Sequence, residues 1–232
     1  QPASTLSAVV MVSAFFQLLM ISDLWHDSFT WNGQAFVTSN TLFSNGYRYM
    51  NWSIDVPALL LQLLIVLGVT GAPFRRGWVI FTGAGLGMIL TGYFGQFYEV
   101  ERSAPFWIWG GISTLFFVVI LVMVQRVVYR NLDRLPVQVH SLVRGVWWLL
   151  LVSWMLYPLG YAMPAVLNSA DGVVLRQVVY TVADIVSKII YGIMLTVVAR
   201  RISMVEGHGA AAAASIGGSR GGVTDVGTPG RI

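Results

Sequence analysis

Tyr180-Thr181-Val182-Ala183-Asp184-Ile185-Val186-Ser187-Lys188-Ile189-Ile190-Tyr191-Gly192 is the stretch on which the reading of this chain turns. Lys188 is the only lysine in the sequence and stands in the middle of a membrane-length apolar run. A charged amine at bilayer depth costs roughly 3 kcal/mol on insertion scales and more in simulations unless it is paired or chemically altered. Every other Lys/Arg position holds arginine, so a lysine used once, and there, is not present for solubility. A lysine amine condenses with an aldehyde to form a Schiff base. Asp184 lies four positions earlier, on the same helical face, which suggests a buried cation with its counter-charge.

Composition sets the class. The chain has 232 residues, 56% hydrophobic and 10% charged, with a mean hydropathy of +0.71. These values belong to a protein whose partner is the lipid bilayer. Six runs of spanning length are expected, at about 5–22, 51–70, 77–98, 106–128, 141–163 and 174–199. The fold class is therefore an all-α membrane protein, a bundle of transmembrane helices. With no cysteine, disulfides and thiolate metal sites are excluded. His26, His140 and His208 are scattered, which argues against a histidine metal site. No nucleophile–base pair or phosphate loop appears, so enzyme chemistry is discounted.

The net charge of +4 reflects topology rather than nucleic-acid binding. Arg75, Arg76, Arg126, Arg130, Arg134, Arg144, Arg200 and Arg201 fall in loops on one side, which the positive-inside rule makes cytoplasmic. Asp23, Asp27, Glu99, Glu101, Arg102 and Asp171 fall on the other. Both termini are then cytoplasmic, in a multi-pass protein of the cell (inner) membrane. Trp25, Trp31, Trp52, Trp107 and Trp109 are placed near the outer interface as an aromatic belt. The first run lacks a basic leader and is not read as a signal peptide. Residues 1–204 form the bundle. Within it, an external loop at about 23–46 contains Trp31-Asn32-Gly33-Gln34 between Phe29 and Phe36, the signature of a β-hairpin. Residues 205–232 are low-complexity and expected to be a disordered tail.

The second span carries polar residues where lipid-facing ones would be apolar. Arg48, Asn51, Asp55 and Gln62 are spaced by three, four and seven, which places them in one stripe about 20 Å long. A polar row facing a bundle interior reads as an ion pathway. Asn51 or Gln62 taken singly is also explained as a hydrogen bond between helices. Asp55 is costlier to bury and is matched to Lys188. Trp52, Trp154, Tyr157 and Tyr161, with Gly85, Gly87, Met88, Gly92, Gly110 and Gly111, fit either a flat slot for a bulky apolar ligand or ordinary helix packing.

As a set, Arg48-Tyr49-x-Asn51-Trp52, Trp154-x-x-Tyr157-Pro158 and Asp184-x-x-x-Lys188 resemble the microbial rhodopsins, retinal-binding seven-helix proteins, over about residues 5–203. The triplet Asn51, Asp55, Gln62, with Gly92-Tyr93-Phe94-Gly95-Gln96-Phe97-Tyr98-Glu99, resembles the light-driven sodium pumps of that family. The resemblance implies all-trans-retinal on Lys188 as a protonated Schiff base, with Asp55 as counterion and proton acceptor and Asp184 as second counter-charge. It implies a retinal pocket of Trp52, Leu59, Met88, Gly92, Gly110, Ser113, Trp154, Tyr157 and Tyr161. Ser13 would lie near the counterion, Gln62 and Ser7 on a cytoplasmic uptake route, and Arg48, Glu99 and Arg176 on an outer release route. A sodium ion would bind transiently near Asn51, Asp55 and Asp184. The implied function is outward sodium pumping, with protons carried when sodium is absent, in a homo-oligomer. A proton pump and a photosensory receptor are the alternatives. Six spans are present where the family has seven, and the match starts at the family's second helix, so the first is expected to be missing.

Overall fold

The computed structural model describes residues 2–41, 43–99, 103–167 and 170–207. Most of the tail expected over 205–232 lies outside the described residues, as do Glu101, Arg102 and His208.

Lipid offers no hydrogen bonds, so each apolar run must satisfy its own backbone, and the helix does so within one segment. Five rods are α1 (Pro2–Ser28), α2 (Gly46–Val66), α3 (Gly71–Gln96), α4 (Ala104–Leu132) and α5 (His140–Leu167). A short 3-10 turn, Val137–Val139, leads into α5. The sixth rod is composite: α6 (Ala170–Asp184), a π-helical segment Ile185–Ile190, and α7 (Tyr191–Val205). Among the described residues, six helical segments are long and apolar enough to cross a membrane. Each rod packs against the next in sequence, and α7 returns to α1, so the ring closes. Contacts from α7 to α2 and α5 fill its middle. The window of α2 is 56% buried and that of α4 17%, which makes α2 the enclosed rod and α4 the one most open to lipid.

Two departures from the sequence reading have local causes. The second span was expected to run to about residue 70, but α2 stops at Val66. Gly68 takes φ +65°, its amide bonds to Ile65 O, and the Val69 amide reaches back to Leu64 O. This paired closure is the Schellman arrangement, which needs a left-handed residue that glycine supplies without strain. The last span is not a uniform α-helix. Its π-helical segment contains Lys188, and such wider turns occur mostly as single insertions at functional sites.

Between α1 and α2, strands β1 (Phe29–Trp31) and β2 (Phe36–Thr38) pair antiparallel, with Trp31 opposite Phe36. The turn is closed by the Asn32 side-chain oxygen, which accepts from the Gln34 and Ala35 amides. The rings of Trp25, Phe29, Phe36 and Phe43 cluster beneath it.

Helix packing in lipid rests on close van der Waals fit, which small residues permit. Gly160 on α5 is such a point: a Cβ there would sit 2.6 Å from Cε1 of Tyr180, a ring 1% exposed with nowhere to swing. Gly160→Ala is expected to cost about 1–3 kcal/mol by overpacking. Thermal melts of the detergent-solubilised protein check this, with Gly83→Ala, where the added methyl meets nothing within 4 Å, not lowering the midpoint.

Candidate functional site

Lys188 is 2% exposed and surrounded by oxygen. Its Nζ lies 3.0 Å from Asp55 Oδ2 and 3.2 Å from Asp184 Oδ1, and donates to Asn51 Oδ1 at 2.6 Å and Gln17 Oε1 at 2.8 Å. Asn51 and Asp55 come from α2, one turn apart, and Gln17 comes from α1. The Asn51 amide nitrogen donates to Ser13 Oγ, which fixes the ring of partners from the α1 side.

Asp184 is the more heavily bonded carboxylate. Its Oδ2 receives Arg48 Nη1 at 2.6 Å and Gln17 Nε2 at 2.7 Å. Its Oδ1 receives Trp52 Nε1 and Tyr157 Oη, each at 2.8 Å, besides the Lys188 ammonium. Since the one phenolic proton of Tyr157 goes to Asp184, Ser187 Oγ donates to Tyr157 Oη at 2.9 Å. One carboxylate thus ties α1, α2 and α5 to the sixth rod. Arg48, Lys188, Asp55 and Asp184 together carry two positive and two negative charges, all at 2% exposure or less. Buried ions are tolerated when paired and hydrogen-bonded in this way.

On the other side of the amine lies a cavity of about 300 Å³. Trp52, Leu59, Met88, Gly92, Gly110, Ser113, Trp154, Tyr157 and Tyr161 all line it, and so does Lys188. Tyr49, Val56, Phe117, Tyr180 and Ser187 line it too, which the sequence reading missed. The glycines leave room there: a Cβ on Gly110 would meet Tyr161 at 2.8 Å, and one on Gly92 would meet Ser113 Oγ at 3.2 Å. An apolar slot with a few convergent polar groups at one end has the form of a small-molecule site. Trp52 belongs to this slot. It is 7% exposed and bonded to Asp184, so its expected place in the aromatic belt is corrected. The reason is helical phase: Trp52 is one turn from Arg48 and from Val56, on the inward face.

The remaining polar residues divide into two groups along α2. Beyond Asp55, Gln62 Nε2 donates to Ala3 O at 2.9 Å and Ser7 Oγ at 2.6 Å, while its own oxygen has no partner among the described residues. Ser7 in turn donates to Gly192 O at 3.0 Å and lies 3.1 Å from Thr196 Oγ1. Before Asn51, Arg48 Nη2 donates to Thr181 Oγ1 at 2.9 Å and Nε to Gln177 Oε1 at 3.2 Å, and Gln177 donates to Asn45 at 2.9 Å. Arg176 and Glu99 form an ion pair that links α6 to the residues just after α3. Gln17, Asn45, Gln177 and Thr181 were missed from sequence. A signal for Gln17 existed, because it stands four residues after Ser13 within the apolar middle of α1.

A family model described as bacteriorhodopsin-like protein matches residues 1–202. The chain belongs to that family. It is 24% identical over 195 residues to a green-light absorbing proteorhodopsin from a gamma-proteobacterium, covering 82% of this chain and 71% of the relative. It is 29% identical over 150 residues to Opsin-1 of Neurospora crassa, covering 64% and 47%. Among solved structures, thermophilic rhodopsin superposes with a TM-score of 0.80 at 30% identity, covering 88% of this chain and 82% of that one. Xanthorhodopsin, described as a light-driven ion pump with dual chromophore, gives 0.78 at 28% identity, covering 88% and 81%. This bacteriorhodopsin-like chain is a multi-pass membrane protein. Retinal, held covalently as a Schiff base, is the cofactor of the family and of this member. The apolar slot ending at an amine fits that cofactor.

Because five donors converge on Asp184, Asp184→Ala should leave Arg48 and Lys188 short of a counter-charge and cost about 3–5 kcal/mol. Asp184→Asn, which keeps the shape and two of the acceptor sites, should cost less. The yield of folded protein and its thermal midpoint decide between them; equal stability of D184A and the parent would show the carboxylate is not structural.

Proposed function

We propose that this chain is a light-driven outward sodium pump that carries protons when sodium is absent, with retinal on Lys188. The observation that carries the reading is the partner set of the Lys188 nitrogen: a neutral amide, Asn51, at 2.6 Å beside a single adjacent carboxylate of α2, Asp55, at 3.0 Å. Family membership supports a photoactive pigment.

When bound, retinal supplies light-driven isomerisation and a conjugated linkage at the Lys188 nitrogen. The chain's own groups do the rest. With its proton in place, the Lys188 nitrogen is a cation in the middle of the path and repels any other cation. Asp55 Oδ2 is within proton-transfer reach of it. Transfer breaks the Lys188 N–H bond, forms an Asp55 O–H bond, and neutralises both groups at once. The central charge is gone while Asp184, held by Arg48 and Trp52, stays an anion. Asn51, Asp55 and Asp184 then present hard oxygen donors, the ligand type that suits sodium. Return of the proton to Lys188 restores the barrier behind the ion.

Gln62 supports sodium over protons. It occupies the α2 face two turns beyond Asp55 and has no acidic proton to give, so it is no donor for refilling Lys188 from that side. Its amide bonds to Ser7 instead, which closes the path with a neutral pair. Ser7 and Gln62 are assigned to the cytoplasmic uptake route, and Arg48, Glu99 and Arg176 to the outer release route. Sodium ions and the bilayer are the partners, and assembly as a homo-oligomer follows the sodium-pump reading.

Illumination of cells carrying the pigment in sodium chloride should make the medium alkaline, and more so with a protonophore, because protons follow the outward positive charge inward. In potassium chloride without sodium the same cells should acidify the medium, and the protonophore should abolish it. Acidification in both salts identifies a proton pump instead. Lys188→Ala should give no visible band with all-trans-retinal; a coloured K188A protein would end the assignment.

A further inference from the structure

Two carboxamides aim their oxygens at one nitrogen. Asn51 Oδ1 and Gln17 Oε1 lie 2.6 and 2.8 Å from Lys188 Nζ. Each amide is oriented by its other end: Asn51 Nδ2 donates to Ser13 Oγ, and Gln17 Nε2 donates to Asp184 Oδ2 at 2.7 Å. Turning Gln17 over would press an NH₂ against an ammonium and a carbonyl against a carboxylate, so charge selects the orientation. Ser13 and Gln17 are one turn apart on α1. That helix therefore aims both amides, one through Ser13 and one directly.

Asp55 Oδ2 and Asp184 Oδ1 complete a shell of four oxygens around Nζ. Neither oxygen of the fully buried Asp55 accepts a hydrogen bond among the described residues; its carboxylate is answered by the ion pair. An ammonium has three N–H donors for this shell. Condensation with an aldehyde releases water and leaves the nitrogen at most one. Transfer of that last proton to Asp55 leaves two amide oxygens with no donor, facing one ionised carboxylate.

We propose that Gln17 Oε1 is a ligand of the transported cation, alongside Asn51 Oδ1 and Asp184 Oδ1, and that α1 thereby takes part in choosing the ion. The assignment rests on the pump reading above. An all-oxygen shell with neutral amides suits a hard monovalent cation. Gln17 is 3% exposed and bonded at both ends of its amide, so it is held in place before any ion arrives.

Retinal-free K188A protein tests this without light or pigment, since it removes the ammonium and leaves the four oxygens. Its thermal midpoint should rise in sodium chloride relative to N-methylglucamine chloride at equal ionic strength. K188A carrying Gln17→Leu should need about tenfold more sodium for the same rise, the loss of one ligand at about 1.4 kcal/mol. No sodium response in K188A, or an equal response in the two proteins, overturns the inference. Where K188A does not fold, the retinal-loaded chain with Lys188 intact decides. Gln17→Leu should raise the sodium concentration for half-maximal sodium transport about tenfold, and an unchanged concentration overturns the assignment. A Gln17-dependent sodium response in the dark from a chain that transports only protons keeps the ligand and overturns the pump reading.

Discussion

The Asp184 carboxylate is the constraint on which the bundle depends. In lipid there is no hydrophobic force between helices, so packing and buried polar contacts must hold them together. Asp184 takes donors from α1, α2 and α5 while sitting on the sixth rod, and with Asp55 it balances the two central cations, Arg48 and Lys188. With Asp55 it supplies the counter-charge beside Lys188. Were any of these donors removed, part of a buried carboxylate would be left unpaired, which is costly.

Those same donors separate the two acids. Asp184 is committed on both oxygens to donors from three other helices, whereas Asp55 is answered chiefly by its ion pair with Lys188. Protonating Asp184 would cost it bonds from Arg48, Trp52, Tyr157 and Gln17, whereas Asp55 takes its proton from the cation it is paired with, so that both charges vanish together. The division of labour between a fixed anion and a proton acceptor follows from hydrogen-bond inventory, not from residue type. The π-helical segment adds to this by widening the turn that presents Lys188 to both acids.

The cavity and the ion site share a wall. Trp52 and Tyr157 line the slot with their rings and bond Asp184 with their polar ends. A change of shape in the slot is therefore felt directly at the anion. This is the use to which aromatic residues with a polar handle are suited, one end apolar and one end bonded.

Much of this was legible in the sequence. A lone lysine in an apolar run, an aspartate one turn before it, and a polar stripe on a second span fix the membrane class and the central ion pairs, because burying a charge in lipid without a partner is too costly to leave unexplained. Helical periodicity also put Arg48, Asn51, Asp55 and Gln62 on one face. What it leaves open is which faces meet. Gln17 is the one carboxamide of α1, and its contacts with Lys188 and Asp184 span 171 and 167 residues. Trp52 reads both as an interface anchor and as a slot residue, and the bundle decides for the slot by turning it inward. The end of α2 and the π turn at Lys188 were set by backbone hydrogen bonds that composition does not reveal. The sequence by itself determined the solvent and the need for buried counter-charges. Only the tertiary structure decided which groups answer them, since that depends on how six separately stable helices rotate and pack against one another.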